Sequence, residues 1–253
     1  MAKYLKLFNL ESEYTAYKNS SDFVLPNVSY ITETKDIKYS AVVLPTYTIS
    51  ATFGIEGADI NQDVKILNNT TGVKAISIDG IKQSNVQTTA KFTTQGTHTV
   101  TYTVDTTVMN NWFEGCSNIV EFDITGMTEV GENAFAGCNL LHIITIPDTV
   151  TIIRKNAFMD CSGLSLLYIG ENVTNIESNA FRGCANIDAI YSYPMVPPVI
   201  DSSTFDLYGE GPQPRRFIVN KVLEVPVGSD YSVWMSSEPY YLGCYNFVIS
   251  HVL

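Results

Sequence analysis

No run of about 18 apolar residues occurs in the chain, so no helical membrane span is predicted. Met1 to Leu10 holds neither a long apolar core nor a small-residue cleavage site, so no secretory signal is predicted either. The expectation is a protein that works in the cell that made it, or that leaves by another route, such as a particle released by lysis. Histidine is scarce. His98, His142 and His251 fall in three different contexts, whereas a nucleophilic triad needs its members within hydrogen-bond reach. CxxC and HxxxH spacings are missing, so a tetrahedral zinc site is not predicted. GxGxxG, P-loop and EF-hand spacings are missing too. The reading is therefore no enzyme, no metal and no cofactor.

Basic residues are also few, 15 against 26 acids, for a net charge of −11. The imbalance is uneven. Residues 1–40 are neutral, 41–108 carry −1 and 109–253 carry −10. An acidic surface repels phosphate backbones and anionic membranes, so neither nucleic acid nor membrane insertion is expected. The five cysteines, Cys116, Cys138, Cys161, Cys184 and Cys244, are odd in number and lack a signal, which argues against a secreted disulfide scaffold.

What the chain does hold is a repeat. Phe113-Glu-Gly-Cys116, Phe135-Ala-Gly-Cys138, Phe158-Met-Asp-Cys161 and Phe181-Arg-Gly-Cys184 recur, and Phe205 follows without its Cys. The Phe-to-Phe steps are 22, 23, 23 and 24 residues, the period of a solenoid. Apolar residues keep phase between them: Ile119, Phe122, Ile124, Met127 and Val130, then Leu141, Ile144, Ile146, Val150 and Ile153, then Leu164, Leu167, Ile169, Val173 and Ile176. Each unit is predicted to hold one strand, buried by stacking the next unit about 4.8 Å away. The repeated Phe and Cys side chains are read as internal filling.

The other segments take their places around this core. Residues 1–40 read as a small αβ unit: a strand at Lys3–Phe8, a short helix at Glu11–Lys18, and a hairpin of Val28–Ile31 with Asp36–Tyr39. So small a unit needs a partner surface, which suits an anchoring or oligomerising role or a cap on the next domain. Residues 41–108 alternate like strands at Tyr47–Phe53, Val64–Ile66, Val73–Ile78, Ala90–Phe92 and Thr97–Val104, and predict a compact β-sandwich without a disulfide. Residues 109–205 form the solenoid. Pro194, Pro197 and Pro198 then replace its Val-x-x-Ile segment, so the regular stack is expected to end there. Residues 206–253 read as a C-terminal cap with strands at 217–219, 222–226 and 247–249, a short helix at 227–234 and an exposed loop at 208–216.

The pattern x-x-Ala-Phe-x-Gly-Cys-x-x-Leu-x-x-Ile-x-Ile-Pro-x-x-Val-x-x-Ile, best kept at Asn133-Ala-Phe-Ala-Gly-Cys138 and Ile144-Thr-Ile-Pro-Asp-Thr-Val150, resembles the BspA-like leucine-rich repeat. That resemblance implies a mainly β chain with a right-handed horseshoe or rod used for adhesion and for protein or glycan contacts. Val225–Tyr231 and Tyr241–Asn246 resemble the terminal segment of such chains, and Gly96–Val104 resembles the last strand of bacterial immunoglobulin-like modules. Phe8–Tyr14, Leu25–Ile31 and Ile37–Tyr39 resemble the opening module of structural proteins from tailed phages of gut Bacteroidales, crAss-like phages included. This last resemblance implies a virion structural protein, such as a head fibre, capsid decoration or tail-fibre component. It would assemble in the host cytoplasm, bind other virion proteins through residues 1–40, and form a homo-oligomer, a trimer by preference. The alternative is a bacterial BspA-like cell-surface adhesin.

Two chemical readings compete with structural ones. Cys138 and His142 could form a dyad, but the other three cysteines have no His at that offset. Glu121 and Asp123 flank Phe122 as glycosidase carboxylates would, yet the next units place Thr145, Leu166 and Tyr168 at equivalent positions. Ligand contact is predicted at outward aromatics, Tyr168, Tyr191 and Tyr193, with a host-surface glycan or protein as the partner. Tyr208, Trp234, Tyr240 and Tyr241 follow, the last three read chiefly as cap packing.

Overall fold

The computed structural model of the protein describes residues 4–8, 39–43, 46–207, 221–236, 241–245 and 247–252. Strands β1 (Tyr4–Phe8) and β2 (Tyr39–Val43) pair antiparallel, Tyr4 opposite Val43. The strand expected near Lys3–Phe8 is β1. The expected helix at Glu11–Lys18 and the strand at Val28–Ile31 lie outside the described residues. Tyr39 pairs with Phe8, and β2 runs on past residue 40.

Next come β3 (Tyr47–Ile55), β4 (Val64–Lys65), β5 (Val73–Ile78), β6 (Ile81–Lys82), β7 (Thr89–Ala90), β8 (Gly96–Val104) and β9 (Ile119–Asp123). They form an antiparallel sheet in the order β6-β5-β8-β3-β9, plus a two-stranded ribbon of β4 and β7. Alternation decides the faces. Ile49, Ala51, Phe53 and Ile55 point inward from β3, and Val100, Tyr102 and Val104 from β8. The buried Tyr102 hydroxyl donates to the Ile66 carbonyl at 2.6 Å, so its one polar atom is satisfied.

In this sheet the structure departs from a sandwich closed at residue 108. Strand β9 belongs to the first repeat, yet it pairs antiparallel with β3, Ala51 opposite Phe122. The first repeat is one residue short, and its strand joins the preceding sheet in place of the parallel stack. The core runs without a break from Ile49 through Phe122 to Phe247. Pairing β9 with β3 gives the strand of the first coil a hydrogen-bonded neighbour in the antiparallel sheet.

The second and third coils give two strands each, and the first adds a short second strand after β9. Strands β11 (Ile143–Ile146), β13 (Leu166–Ile169), β15 (Ala189–Ser192), β16 (Lys221–Pro226) and β17 (Phe247–Val252) form a five-stranded parallel sheet in that order. Strands β10 (Glu129–Val130), β12 (Ile152–Ile153) and β14 (Asn175–Ile176) form a second, three-stranded one. The parallel stack does not end at the prolines. Pro194, Pro197 and Pro198 lie in the loop after β15, where a missing N–H costs no ladder bond, and β16 and β17 extend the sheet beyond them. The helix expected at 227–234 is a set of turns instead, with Ser229 N–H bonded to Pro226 O and Met235 N–H to Tyr231 O.

The interior is a column of aromatic rings. Phe113, Phe135, Phe158, Phe181 and Phe205 stack at 5.4, 5.2, 5.3 and 5.5 Å between successive centroids. Tyr102 closes one end at 5.3 Å and Trp234 the other at 5.2 Å. Backbone bonds hold the spacing: Phe135 N–H donates to Ala157 O at 2.7 Å and Phe158 N–H to Ala180 O at 2.8 Å. Two residues before each of the first four Phe, Asn111, Asn133, Asn156 and Asn179 adopt positive φ of 56, 51, 57 and 57°. Asn tolerates that region better than most residues, and its side chain ladders: Asn133 Nδ2 donates to Asn111 Oδ1 and Asn156 Nδ2 to Asn133 Oδ1, both at 2.9 Å. The following turn needs positive φ again and has Gly115, Gly137 and Gly183, with Asp160 in the third unit.

Cys116, Cys138, Cys161 and Cys184 are free thiols and fully buried. Their sulfurs donate backward along the stack, Cys138 to Phe113 O at 3.3 Å, Cys161 to Phe135 O at 3.0 Å and Cys184 to Phe158 O at 3.0 Å. Burial pushes the Cys116 thiol up to about 12, and drives those of Cys138 and Cys184 well above the usual range. Thiolate is the reactive species. All four sulfurs are shut away from solvent, so iodoacetamide at mildly alkaline pH should leave these cysteines unmodified in the folded protein and alkylate them in urea. Peptide mass mapping reads the outcome, and labelling in the folded state would show that the coils open.

Candidate functional site

The outer face of the parallel sheet carries the strongest surface feature. Parallel pairing in register places identical phases side by side. One row across the strands is Ile143, Leu166, Ala189, Val222 and Val248. It is apolar throughout, and its ends are exposed, Ile143 at 50% and Val248 at 42%. The next row is Thr145, Tyr168, Tyr191, Glu224 and Ser250. The rings of Tyr168 and Tyr191 stack at 4.6 Å with planes 10° apart. Tyr193 follows two residues later, on the same side and 39% exposed. The structure thus groups the three tyrosines singled out above on one face.

Beyond the strand ends this face opens into a groove of about 630 Å³, lined by Glu171, Asn172, Tyr193, Met195, Glu224, Pro226 and Val227. Its rim is held closely. A Cβ on Gly170 would come within 2.7 Å of Ile146 O and Asp148 Oδ1, so only glycine lets the coils approach there. Asp148 then anchors the next two residues, accepting from Glu171 N–H at 2.8 Å through its carboxylate and from Asn172 Nδ2 at 2.8 Å through its carbonyl. Burial raises the Tyr193 phenol above its ordinary range, and the charge of Glu224 raises it further, so the phenol stays neutral at pH 7. The face offers flat rings, carboxylates and apolar side chains. Among the described residues it offers no nucleophile beside a base.

The remaining candidates are placed elsewhere. Cys138 is buried with its sulfur on Phe113 O, while His142 is exposed, so no dyad forms. Glu121 and Asp123 are exposed on β9, opposite Thr52 and Ser50 of β3 in the antiparallel sheet. Trp234 is buried in the cap, where its Nε1–H donates to Pro198 O at 3.0 Å. Tyr231 beside it donates to Pro194 O at 2.9 Å. Tyr241 is half-buried, and Tyr208 and Tyr240 lie outside the described residues. Among the described residues, no group of three or more His, Cys, Asp or Glu side chains could hold a metal ion. No helix among them is long and apolar enough to cross a membrane.

A second, smaller cleft of about 280 Å³ lies by His98 in the antiparallel sheet. Its Nδ1 meets Asp79 Oδ2 at 2.7 Å and its Nε2 meets Thr94 O at 3.0 Å, while Phe92 lies against the ring at 4.6 Å. Both contacts ask the ring nitrogens to donate, which favours imidazolium. Burial works against the charge, but the hydrogen bonds to Asp79 and Thr94 outweigh it, and the pKa of His98 is raised above 6.5. The contribution to stability is then complete below the unfolded value and lost as pH rises through the folded one. Asp79 is shifted the other way, against its own burial, by the same pair, so its share is lost as pH falls below 3.8. His98→Asn should therefore lower Tm most at about pH 5–6 and progressively less in alkaline buffer. A constant gap across that range would refute the charged pair.

Sequence reasoning missed Glu224 and the apolar row. Both depend on which strands become neighbours, and β16 joins β15 only after a stretch of chain that keeps little of the repeat beyond Phe205. The signal available was the alternation of Val222-Leu-Glu-Val225, which puts Glu224 opposite in phase to the core residues Leu223 and Val225.

Residues 91–206 match the family model described as the BspA type leucine rich repeat region, in six copies. The match spans the column of phenylalanines and the first three strands of the parallel sheet, and stops before β16. No curated protein and no solved structure matches the chain.

Proposed function

We propose that this protein is a non-catalytic, adhesin-like binding module that holds a partner protein or glycan on the outer face of its parallel sheet. BspA-type repeat regions are binding modules suited to surface and partner contact. The observation that carries the reading here is the stacked pair Tyr168–Tyr191 beside a contiguous apolar row. A monomer gains nothing by exposing such a strip, whereas a contact surface does. The strip lies on hydrogen-bonded strands, so it loses little conformational entropy on binding. The matching location is the bacterial cell surface.

The test is adhesion of the full chain, coated on beads, to a glycan array and to immobilised extracellular proteins. Tyr168→Ala with Tyr191→Ala should lower retention about tenfold or more, as truncation of central aromatic contacts does. Glu121→Gln, on the other sheet, should change nothing. Equal loss in both variants, or none in either, would overturn the assignment to this face.

A second reading, a virion structural protein anchored through residues 1–40, is supported by the resemblance at Phe8–Tyr14, Leu25–Ile31 and Ile37–Tyr39. On that reading, removing residues 1–40 abolishes incorporation into particles and the full chain sediments as a trimer. Normal incorporation of the truncated chain would dispose of it.

A further inference from the structure

We infer that the groove at the end of the tyrosine row is a subsite for an arginine side chain presented by an extended segment of a partner protein. The inference rests on the proposed binding face and names the chemistry of its occupant. Two carboxylates, Glu171 and Glu224, line the groove, and among the described residues no Lys, Arg or His lines it with them. Neither carboxylate makes an ion pair among the described residues. Elsewhere on the same solenoid some acids are paired with cations. Arg154 joins Glu129 at 2.7 Å to Glu177 at 2.9 Å, and Arg182 meets Asp206 at 3.4 Å. Among the described residues the groove lacks such a cation, and it lies in the half of the chain that carries −10 of the total charge.

Aromatic faces select the kind of cation. Register places Glu224 one strand from Tyr191 and two from Tyr168, in the same row. Tyr193 lies close enough to Glu224 for that charge to raise its phenol pKa. A guanidinium is flat. It can pair with the Glu224 carboxylate through two parallel N–H bonds while one face lies on the Tyr193 ring. A lysine ammonium is more strongly hydrated and has no fork and no face to offer. The walls suit the rest of the side chain, because Met195 is 58% and Val227 55% exposed, and both are apolar surface for the arginine stem. The neighbouring row of Ile143, Leu166, Ala189, Val222 and Val248 would take apolar side chains next to that arginine. An extended segment advances about 3.3 Å per residue, so residues flanking the arginine reach this row.

The test uses the full chain and four blocked heptapeptides with the central triplet Val-Arg-Val, Val-Lys-Val, Val-citrulline-Val or Val-Glu-Val, titrated by NMR or fluorescence anisotropy. The arginine peptide should bind at least about tenfold more tightly than the citrulline peptide, which keeps the shape and loses the charge. It should also bind better than the lysine peptide, and added salt should weaken it. Glu224→Gln and Tyr193→Ala should each lose about tenfold, while Glu121→Gln keeps the affinity. Equal binding of arginine and citrulline peptides, equal or better binding of lysine, or failure of all four overturns the subsite. The bead adhesion assay separates this from the broader reading. If Glu224→Gln adheres normally while Tyr168→Ala with Tyr191→Ala does not, the face stands and the arginine subsite falls. If both variants adhere normally, both readings fall.

Discussion

Phe158→Ala should cost the protein about 3–5 kcal/mol of stability, the range for truncating a buried aromatic ring. The ring is fully buried between Phe135 at 5.2 Å and Phe181 at 5.3 Å, with planes 3° from parallel on both sides. The loss includes both stacking contacts and a cavity. The neighbours cannot collapse into that cavity, because each coil is held to the next by Phe135 N–H on Ala157 O and Phe158 N–H on Ala180 O. A second consequence follows from position. Solenoid units are stabilised chiefly by their neighbours, so a weak interface in the middle uncouples the two ends. Urea unfolding followed by circular dichroism should show the loss, with a broader transition than the parent protein. A cost under about 1 kcal/mol would mean the coils re-pack and the column is not the source of rigidity.

Trp234→Ala should be of similar size, about 3–5 kcal/mol, but with a different signature. The indole covers the last ring of the column, Phe205, at 5.2 Å and lies edge-on to Tyr231 at 5.0 Å. It also donates to Pro198 O, and its removal leaves that buried carbonyl without a donor. Terminal units of a repeat protein have only one neighbour, so the lesion should fray the C-terminal end first. Hydrogen exchange should rise in β15, β16 and β17 before it rises in β3 and β8. Uniform loss of protection would indicate that the cap and the antiparallel sheet unfold as one unit. The two variants together distinguish damage inside the column from damage to its lid.

Much of the column was legible beforehand. The steps between Phe113, Phe135, Phe158, Phe181 and Phe205 predict stacking because side chains in the same phase of identical coils must superpose. The cysteines follow from the same phase. The Asn ladder escaped notice although Asn111, Asn133, Asn156 and Asn179 recur as faithfully, because the pattern was read for apolar residues and not for positive φ. The prolines after β15 misled, since they mark a loop where ladder bonds are not needed, and Pro194 and Pro198 instead supply carbonyls to Tyr231 and Trp234. The turns at 227–234 also escaped, because aromatic residues at helical spacing pack equally well from consecutive turns.

The amino-acid sequence alone determined the period, the acidic bias, the inward ring and thiol of each coil, and the alternation of β3 and β8. Each of these depends on side-chain chemistry and local spacing, which are properties of short stretches of chain. Tertiary structure decided which strands lie side by side. It put β9 of the first repeat on β3, carried β16 and β17 onto the parallel sheet, and so set Glu224 beside Tyr191 and Tyr193 at the end of a groove. Such neighbours are far apart in sequence, and no local pattern encodes their pairing. It is the burial of one shared core that makes it favourable.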